Sequence, residues 1–178
     1  ASMMYDIEII TATPADAPEA IRLFGELHRF NAGLDKRFAL ADGWESLVEE
    51  YLRQTQAADD SAWLLARAGN RTIGFVLVEV HTDSPLYRYR RWAEIVGLFV
   101  DAAYRGSAAA RMLMEHAYDW AIRRNLRVMQ LYVTAPNQPA RRFYEKQGFE
   151  DSQVILRRML TLDDIQEEAH AAHGRSRL

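Results

Sequence analysis

The chain has 178 residues, 49% of them hydrophobic and 26% charged, with a formal net charge of −3. Such a length and apolar content fit one domain with a buried core, and so small a net charge argues against a chain-wide attraction to nucleic acid or to a membrane surface. The absence of cysteine excludes disulfides, thiolate metal ligands and a catalytic thiol, and no apolar run approaches the roughly 20 residues of a membrane span.

The first residues lack the basic-then-apolar order of a secretory signal, so a cytoplasmic location is the expectation. The β-branched stretch Tyr5 to Ile10 predicts a strand. Thr13 then offers an N-cap, with Pro14 at the first helical position, and Ile21, Phe24, Leu27 and Phe30 recur at helical spacing. After a loop over 34–43, a second helix carries Leu47, Val48, Tyr51 and Leu52 on one face.

Residues 61–82 read as a hairpin about Gly69-Asn70, and the second run, Ile73 to His81, is apolar enough to be covered on both faces. A polar and aromatic loop over 83–91 precedes a strand over 92–101. An alanine-rich helix over 106–125 and a strand over 126–134 follow. A short helix over 137–147 is closed by Gly148, and the stretch 149–160 predicts a last strand that completes the sheet. The order β-α-α-β-β-β-α-β-α-β implies a mixed α/β (α+β) sheet with helices on its faces and a parallel pair around the third helix. One domain over residues 1–162 is expected, with a helical tail over 163–178.

The stretch FVDAAYRGSAAAR, residues 99–111, runs from a strand into a helix start. The unpaired N–H groups of such a helix make an anion site, and Gly106, Ser107, Ala108, Ala109 and Ala110 are small enough to leave those groups accessible. Arg105 adds a cation at the same place. A plain alanine-rich helix packed tightly on the sheet accounts for the same pattern. A second constellation, NQPARRFYEKQGF, starts a helix at Asn137 and places Tyr144 seven residues on, near the same helical face. A half-buried core aromatic explains Tyr144 equally well.

In this order the two constellations resemble the GNAT superfamily of N-acetyltransferases. The first is similar to the family's acetyl-CoA signature, Q/R-x-x-G-x-G/A, with Arg105, then Ala108 where glycine is usual, then Ala110. The second is similar to N-x-x-A-x-x-x-Y-x-x-x-G-F, met by Asn137, Ala140, Tyr144, Gly148 and Phe149. The resemblance implies an acyl-CoA N-acyltransferase fold: a mostly antiparallel sheet with a splayed parallel pair and helices on both faces. It also implies acetyl-CoA as cosubstrate, with no metal. Leu98, Phe99 and Val100 would offer backbone groups to pantetheine, and the amides from Gly106 to Arg111 would hold the pyrophosphate. Asn137 and Ala140 would line the far side of CoA, and Tyr144 would protonate the departing thiolate. An alanine with helical φ/ψ at 108 still exposes its N–H, so CoA binding is expected to survive.

Acetyl transfer to an amine also needs a base and a donor to the thioester carbonyl. A strand N–H near Leu98 or Phe99 would serve as the donor. Glu94 is the candidate base, with Glu79 and His81 as rivals; strand alternation places Glu94, Val96, Leu98 and Val100 on one face. The plainer reading of Glu94 is a carboxylate paired with Arg88, Arg90 or Arg91. Val96 stands where some polyamine-type relatives carry their glutamate. The acceptor pocket of the superfamily falls on segments that here contain His28, Phe30, Asn31, Asp35, Phe38, Asp42 and Trp44, a set suited to a cationic amine. The arginines of the loop 83–91 either steer the phosphates of CoA or are plain surface. A small primary amine is the expected acceptor, with no nucleic-acid or membrane partner and a homodimer as the oligomer. A protein or peptide N-acetyltransferase and a non-catalytic acyl-CoA-binding domain remain the alternatives.

Overall fold

A computed structural model describes residues 6–175. The strand expected from Tyr5 is β1, Ile7–Thr11, and Tyr5 itself lies outside the described residues. Thr13 opens the next element as expected. Its N–H donates to Asp16 Oδ2 at 2.8 Å, and one 3-10 turn, Pro14–Asp16, leads into α1, Ala17–Leu34. Helix α2 spans Trp44–Ala57. The hairpin forms from β2, Ser61–Ala68, and β3, Arg71–Thr82, with Gly69 at φ 61° in the turn. Then come β4 (Arg91–Val100), α3 (Ala109–Arg123), β5 (Met129–Leu131), α4 (Gln138–Lys146) and α5 (Leu162–Arg175).

The five strands lie in chain order. Strands β1 to β4 are antiparallel neighbours, and β5 runs parallel to β4. Two apolar layers cover the sheet. On one side Leu113, Met114, Ala117 and Trp120 of α3 pack against Ile73, Val76, Val78, Ala93 and Ile95. On the other, Ala20 and Leu23 of α1 and Val48 and Leu52 of α2 close over Trp63, Leu65, Phe75 and Leu77. Strand β3, buried from Thr72 to Val78, carries side chains in both layers. Its near-continuous apolar run reflects this double cover.

Two expectations fail at the β5 side. The strand expected over 126–134 is reduced to three residues, because β4 pairs with it only from Ala93 to Ile95. The strand expected over 149–160 does not form: no regular structure occurs there, and the stretch is exposed beyond Phe149. Its β-forming side chains find no paired edge, and strand propensity is realised only against a neighbour.

Candidate active site

The sheet opens where β4 outruns β5. Ile95 and Leu131 form the last rung of the parallel pair. Strand β4 continues for five residues to Val100 with no neighbour on that side among the described residues. Asp101 N–H donates to Ile73 O at 2.7 Å, which fixes the alternation of the strand end. The backbone groups of Phe99 therefore face β3, opposite Phe75, while those of Leu98 and Val100 face the open edge. Phe99 was expected to offer its backbone with these two; the structure turns it toward β3, so of Leu98 and Phe99 only Leu98 has its N–H at the open edge.

A β-bulge shifts the register between β3 and β4. Val78 faces Ile95 but Leu77 faces Gly97, so Val96 is the extra residue and stays 43% exposed. The bulge overturns the expected alternation. Ala93 and Ile95, then Leu98 and Val100, pack on the α3 side. Glu94 lies on the α1–α2 side, off the face of Leu98 and Val100. Gly97 suits the bend, since a Cβ there would stand 3.0 Å from Leu27 Cδ2 and 3.3 Å from the Phe75 ring.

Beyond β4, one 3-10 turn, Ala102–Tyr104, brings the chain to Gly106 at φ 83°, a left-handed conformation that glycine adopts without strain. Ser107 Oγ accepts from Ala109 N–H at 3.3 Å, and the first helical bond runs from Met112 N–H to Ala108 O at 2.9 Å. The N–H groups of Gly106, Ala108, Ala110 and Arg111 have no acceptor among the described residues. Ala108 is the N-cap with φ −77° and ψ 0°, so its methyl group does not disturb the helix start. Arg105 is exposed beside this turn, and Arg111 is drawn to Glu115 at 2.8 Å. The turn is anchored from behind: Arg22 of α1 donates to Thr72 O at 2.8 Å and to Asp101 Oδ1 at 3.1 Å.

Helix α4 stands on the α3 side. Asn137 caps it by accepting from Ala140 N–H at 3.3 Å. Tyr144 packs into the same apolar layer as Leu98, Val100 and Leu131, edge-on to Phe143 and Phe149 at 5.3 and 5.6 Å between ring centres. Burial, helped by the nearby Tyr118, raises the phenol well above its ordinary value and keeps it protonated.

The acidic groups gather on the opposite layer. Glu79 and Glu94 are register partners on β3 and β4. Tyr51 of α2 donates a hydrogen bond to Glu79. Gln130 Nε2 donates to Glu94 Oε1 at 3.1 Å, and His81 Nδ1 lies 3.5 Å from Glu94 Oε2. The partners of Glu94 are thus Gln130 and His81 rather than Arg88, Arg90 or Arg91. His81 stacks on Trp92 at 4.6 Å. Tyr51 reads in sequence only as part of the apolar face of α2, and Gln130 only as a strand residue; tertiary pairing alone reveals their contacts.

The residues expected around the acceptor are only partly joined. His28 packs on Phe24 at 4.3 Å and approaches Phe38 at 6.3 Å, and burial lowers its pKa. Trp44 stacks on Phe24 at 6.0 Å. Asn31 O accepts from Asp35 N–H at the end of α1, and Asp35 bonds Arg37 N–H and Arg157. Its carboxyl pKa is held below the usual value by these contacts, the Arg37 N–H first. Phe30 is 47% exposed, and Asp42 is exposed in the connection between α1 and α2. The loop 83–90 precedes β4, whose ten residues span about 33 Å. Its arginines therefore sit at the far end of the strand from the start of α3 and do not reach an anion there.

The model of the acetyltransferase (GNAT) family matches residues 27–149. An uncharacterized N-acetyltransferase of Archaeoglobus fulgidus is 30% identical over 141 residues, 79% of this chain and 91% of that protein. One of Methanocaldococcus jannaschii is 26% identical over 147 residues, 83% of this chain, which spans only 62% of that relative's length. Among solved structures, aminoglycoside acetyltransferase AAC(6')-Iy, in complex with the bisubstrate analogue CoA-S-monomethyl-acetylneamine, superposes with a TM-score of 0.70. It is 20% identical and covers 87% of this chain and 99% of that one. The splayed β4–β5 pair, the helix start with free amides and the matched segment agree: the chain belongs to the GNAT family of acetyltransferases.

Proposed function

We propose that the protein transfers the acetyl group of acetyl-CoA to the primary amine of a small molecule. The observation that carries this reading is the run of free N–H groups at Gly106, Ala108, Ala110 and Arg111, set at the end of the open edge of β4. Donors with no acceptor at a helix start suit the pyrophosphate of CoA. Small side chains give it access, and the outward-facing groups of Leu98 and Val100 suit the amides of pantetheine. Arg105 and the cap at Asn137 and Ala140 complete the CoA-binding set.

In this reading Glu94 takes the proton of the incoming ammonium group, so that a neutral amine attacks the thioester carbon. The N–H of Leu98 stabilises the charge that develops on the carbonyl oxygen. As the C–N bond forms and the C–S bond breaks, the Tyr144 hydroxyl gives its proton to the sulfur, the proton that the attacking nitrogen sheds in becoming an amide passes back to the Tyr144 oxygen, and Glu94 releases the ammonium proton to solvent. The adjacent carboxylates Glu79 and Glu94 favour a cationic acceptor. The shared fold with an enzyme captured with an aminoglycoside-derived bisubstrate supports an amine as acceptor.

The test is calorimetry with acetyl-CoA, followed by a thiol-release screen of polyamines, aminoglycosides, amino acids and peptides. Saturable binding and turnover with a small amine are expected. No binding at millimolar acetyl-CoA overturns the reading, and turnover confined to peptides overturns the choice of acceptor.

A further inference from the structure

Glu94 is poorly placed to lose a proton by itself. Only 12% of its side chain is exposed, and Gln130 Nε2 occupies Oε1 at 3.1 Å. A proton taken up by this carboxylate therefore rests on Oε2. His81 Nδ1 stands 3.5 Å from that oxygen, and 41% of the His81 side chain is exposed. The imidazole thus meets the largely buried carboxylate on one side and solvent on the other.

The surroundings of the ring favour a proton there. His81 and Trp92 are register partners, and their rings stack at 4.6 Å with 26° between planes. The face of an indole attracts a cation. Glu79 precedes His81 by two residues on the same face of β3, so Glu79 and Glu94 both turn negative charge toward the ring. Tyr51 of α2 donates to Glu79, and burial, then this bond, raises its phenol well above the ordinary value. Tyr51 therefore stays a neutral donor, while Asp60, whose charge also acts on Tyr51, adds a third carboxylate at this end of the sheet. From β5 the facing group is the neutral Gln130. Asp83 and Arg90 close the outer end of the face, joined by Asp83 N–H to Arg90 O at 2.7 Å, with one charge of each sign.

We propose that His81 is a positioning residue for the ammonium proton, taking it from Glu94 and passing it to solvent. The proposal rests on the acetyl-transfer reading above. The O–H bond at Glu94 Oε2 breaks as an N–H bond forms at His81 Nδ1, which leaves an imidazolium beside a carboxylate. Exchange with water at the exposed ring then removes one proton and restores the tautomer whose Nδ1 is free. The advantage is one of basicity. An imidazole ordinarily holds a proton about 2 pH units more tightly than a carboxylic acid. A proton parked on the ring is closer in free energy to one on an ammonium group, so more of the bound amine is neutral and able to attack. Acid closes this route, because a ring that is already protonated accepts nothing from Glu94 and neutralises its charge.

The test compares kcat/KM between about pH 5.5 and about pH 9 for the wild type, His81→Gln and His81→Ala, with the amine found in the thiol-release screen. His81→Gln keeps a polar side chain beside Glu94 that cannot carry the proton. At neutral pH it should be slower by about 10- to 100-fold, with acetyl-CoA affinity unchanged by calorimetry. The ratio of wild type to His81→Gln should shrink as pH falls through the imidazole range. Added imidazole should restore turnover to His81→Ala in a saturable way. A wild-type rate and pH profile in His81→Gln overturns the proposal, and so does a loss in His81→Ala that imidazole leaves untouched. Failure of the acetyl-transfer reading looks different: the wild type shows no turnover, or Glu94→Gln keeps the full rate. Either of those overturns this proposal as well.

Discussion

Glu94 and Tyr144 stand on opposite layers of the sheet, on either side of the gap where β4 and β5 part. Glu94 faces the α1–α2 layer beside Glu79, and Tyr144 packs in the α3 layer with Leu98 and Val100. In the proposed reaction a thioester drawn into the gap would meet Glu94 from one side and Tyr144 from the other. Glu94→Gln removes the proposed base while keeping the shape and the contact with Gln130. It should lower kcat by roughly 10²- to 10⁴-fold, with acetyl-CoA affinity unchanged. Steady-state kinetics paired with calorimetry read this out. If Glu79→Gln proves the more damaging of the two, the base is Glu79 instead.

Tyr144→Phe should lower kcat far more than it weakens acetyl-CoA binding, since only the hydroxyl is lost and the ring contacts remain. Burial places the folded pKa above the ordinary 10.0, so the fold favours the protonated phenol. The proposed donor thus stays protonated throughout the assay range. Its contribution to stability is whole below pH 10.0 and is lost as pH rises through the folded value. The ratio of wild-type to variant kcat should therefore be flat from neutrality to pH 10.0. A ratio that falls within that range would show a donor with an ordinary or lowered pKa.

At the start of α3, Ala110→Leu places a branched side chain beside free N–H groups. It should weaken acetyl-CoA binding at least ~10-fold, about 1.4 kcal/mol, with little change in thermal midpoint because Ala110 is only half-buried. Ala108→Gly should change affinity by less than this. The Ala108 N–H already lacks an acceptor, and the residue already holds a helix-compatible conformation. Calorimetry on both variants checks the pair, and unchanged affinity in Ala110→Leu would place the anion elsewhere.

The parts of this arrangement that are local were legible in the sequence. The Thr13–Pro14 helix start, the Gly69 turn, the strand-to-helix passage through Gly106 and the Asn137 cap all depend on residues within a few positions of one another. What escaped depends on strand pairing. The bulge at Val96 adds one residue and so moves Glu94 to the other face from Leu98, an inversion that no alternation pattern in β4 alone reveals. In the same way, QVILRR at 153–158 reads as a closing strand because its residues suit one, whereas strand formation requires an edge that this fold does not bring to it. The contacts of Glu79 with Tyr51, and of Glu94 with Gln130, join residues 28 and 36 positions apart and leave no mark on either segment.

His28 supplies a pH signature for the aromatic layer under α1. Its ring lies against Phe24, and burial lowers its pKa below the ordinary 6.5, so the fold favours the neutral imidazole. The group therefore adds nothing unfavourable well above pH 6.5, and stability is lost as pH falls through 6.5, where the unfolded chain takes up the proton first. Replacing it with phenylalanine removes that penalty and keeps a ring beside Phe24 and Phe38. Thermal unfolding of wild type and His28→Phe between about pH 8 and about pH 5.5 should show the wild-type midpoint falling relative to the variant on acidification. A gap that stays constant with pH would mean that the ring is solvated enough to titrate as it does in the unfolded chain, and that the layer closed by Phe24, Phe38 and Trp44 is open to water at this point.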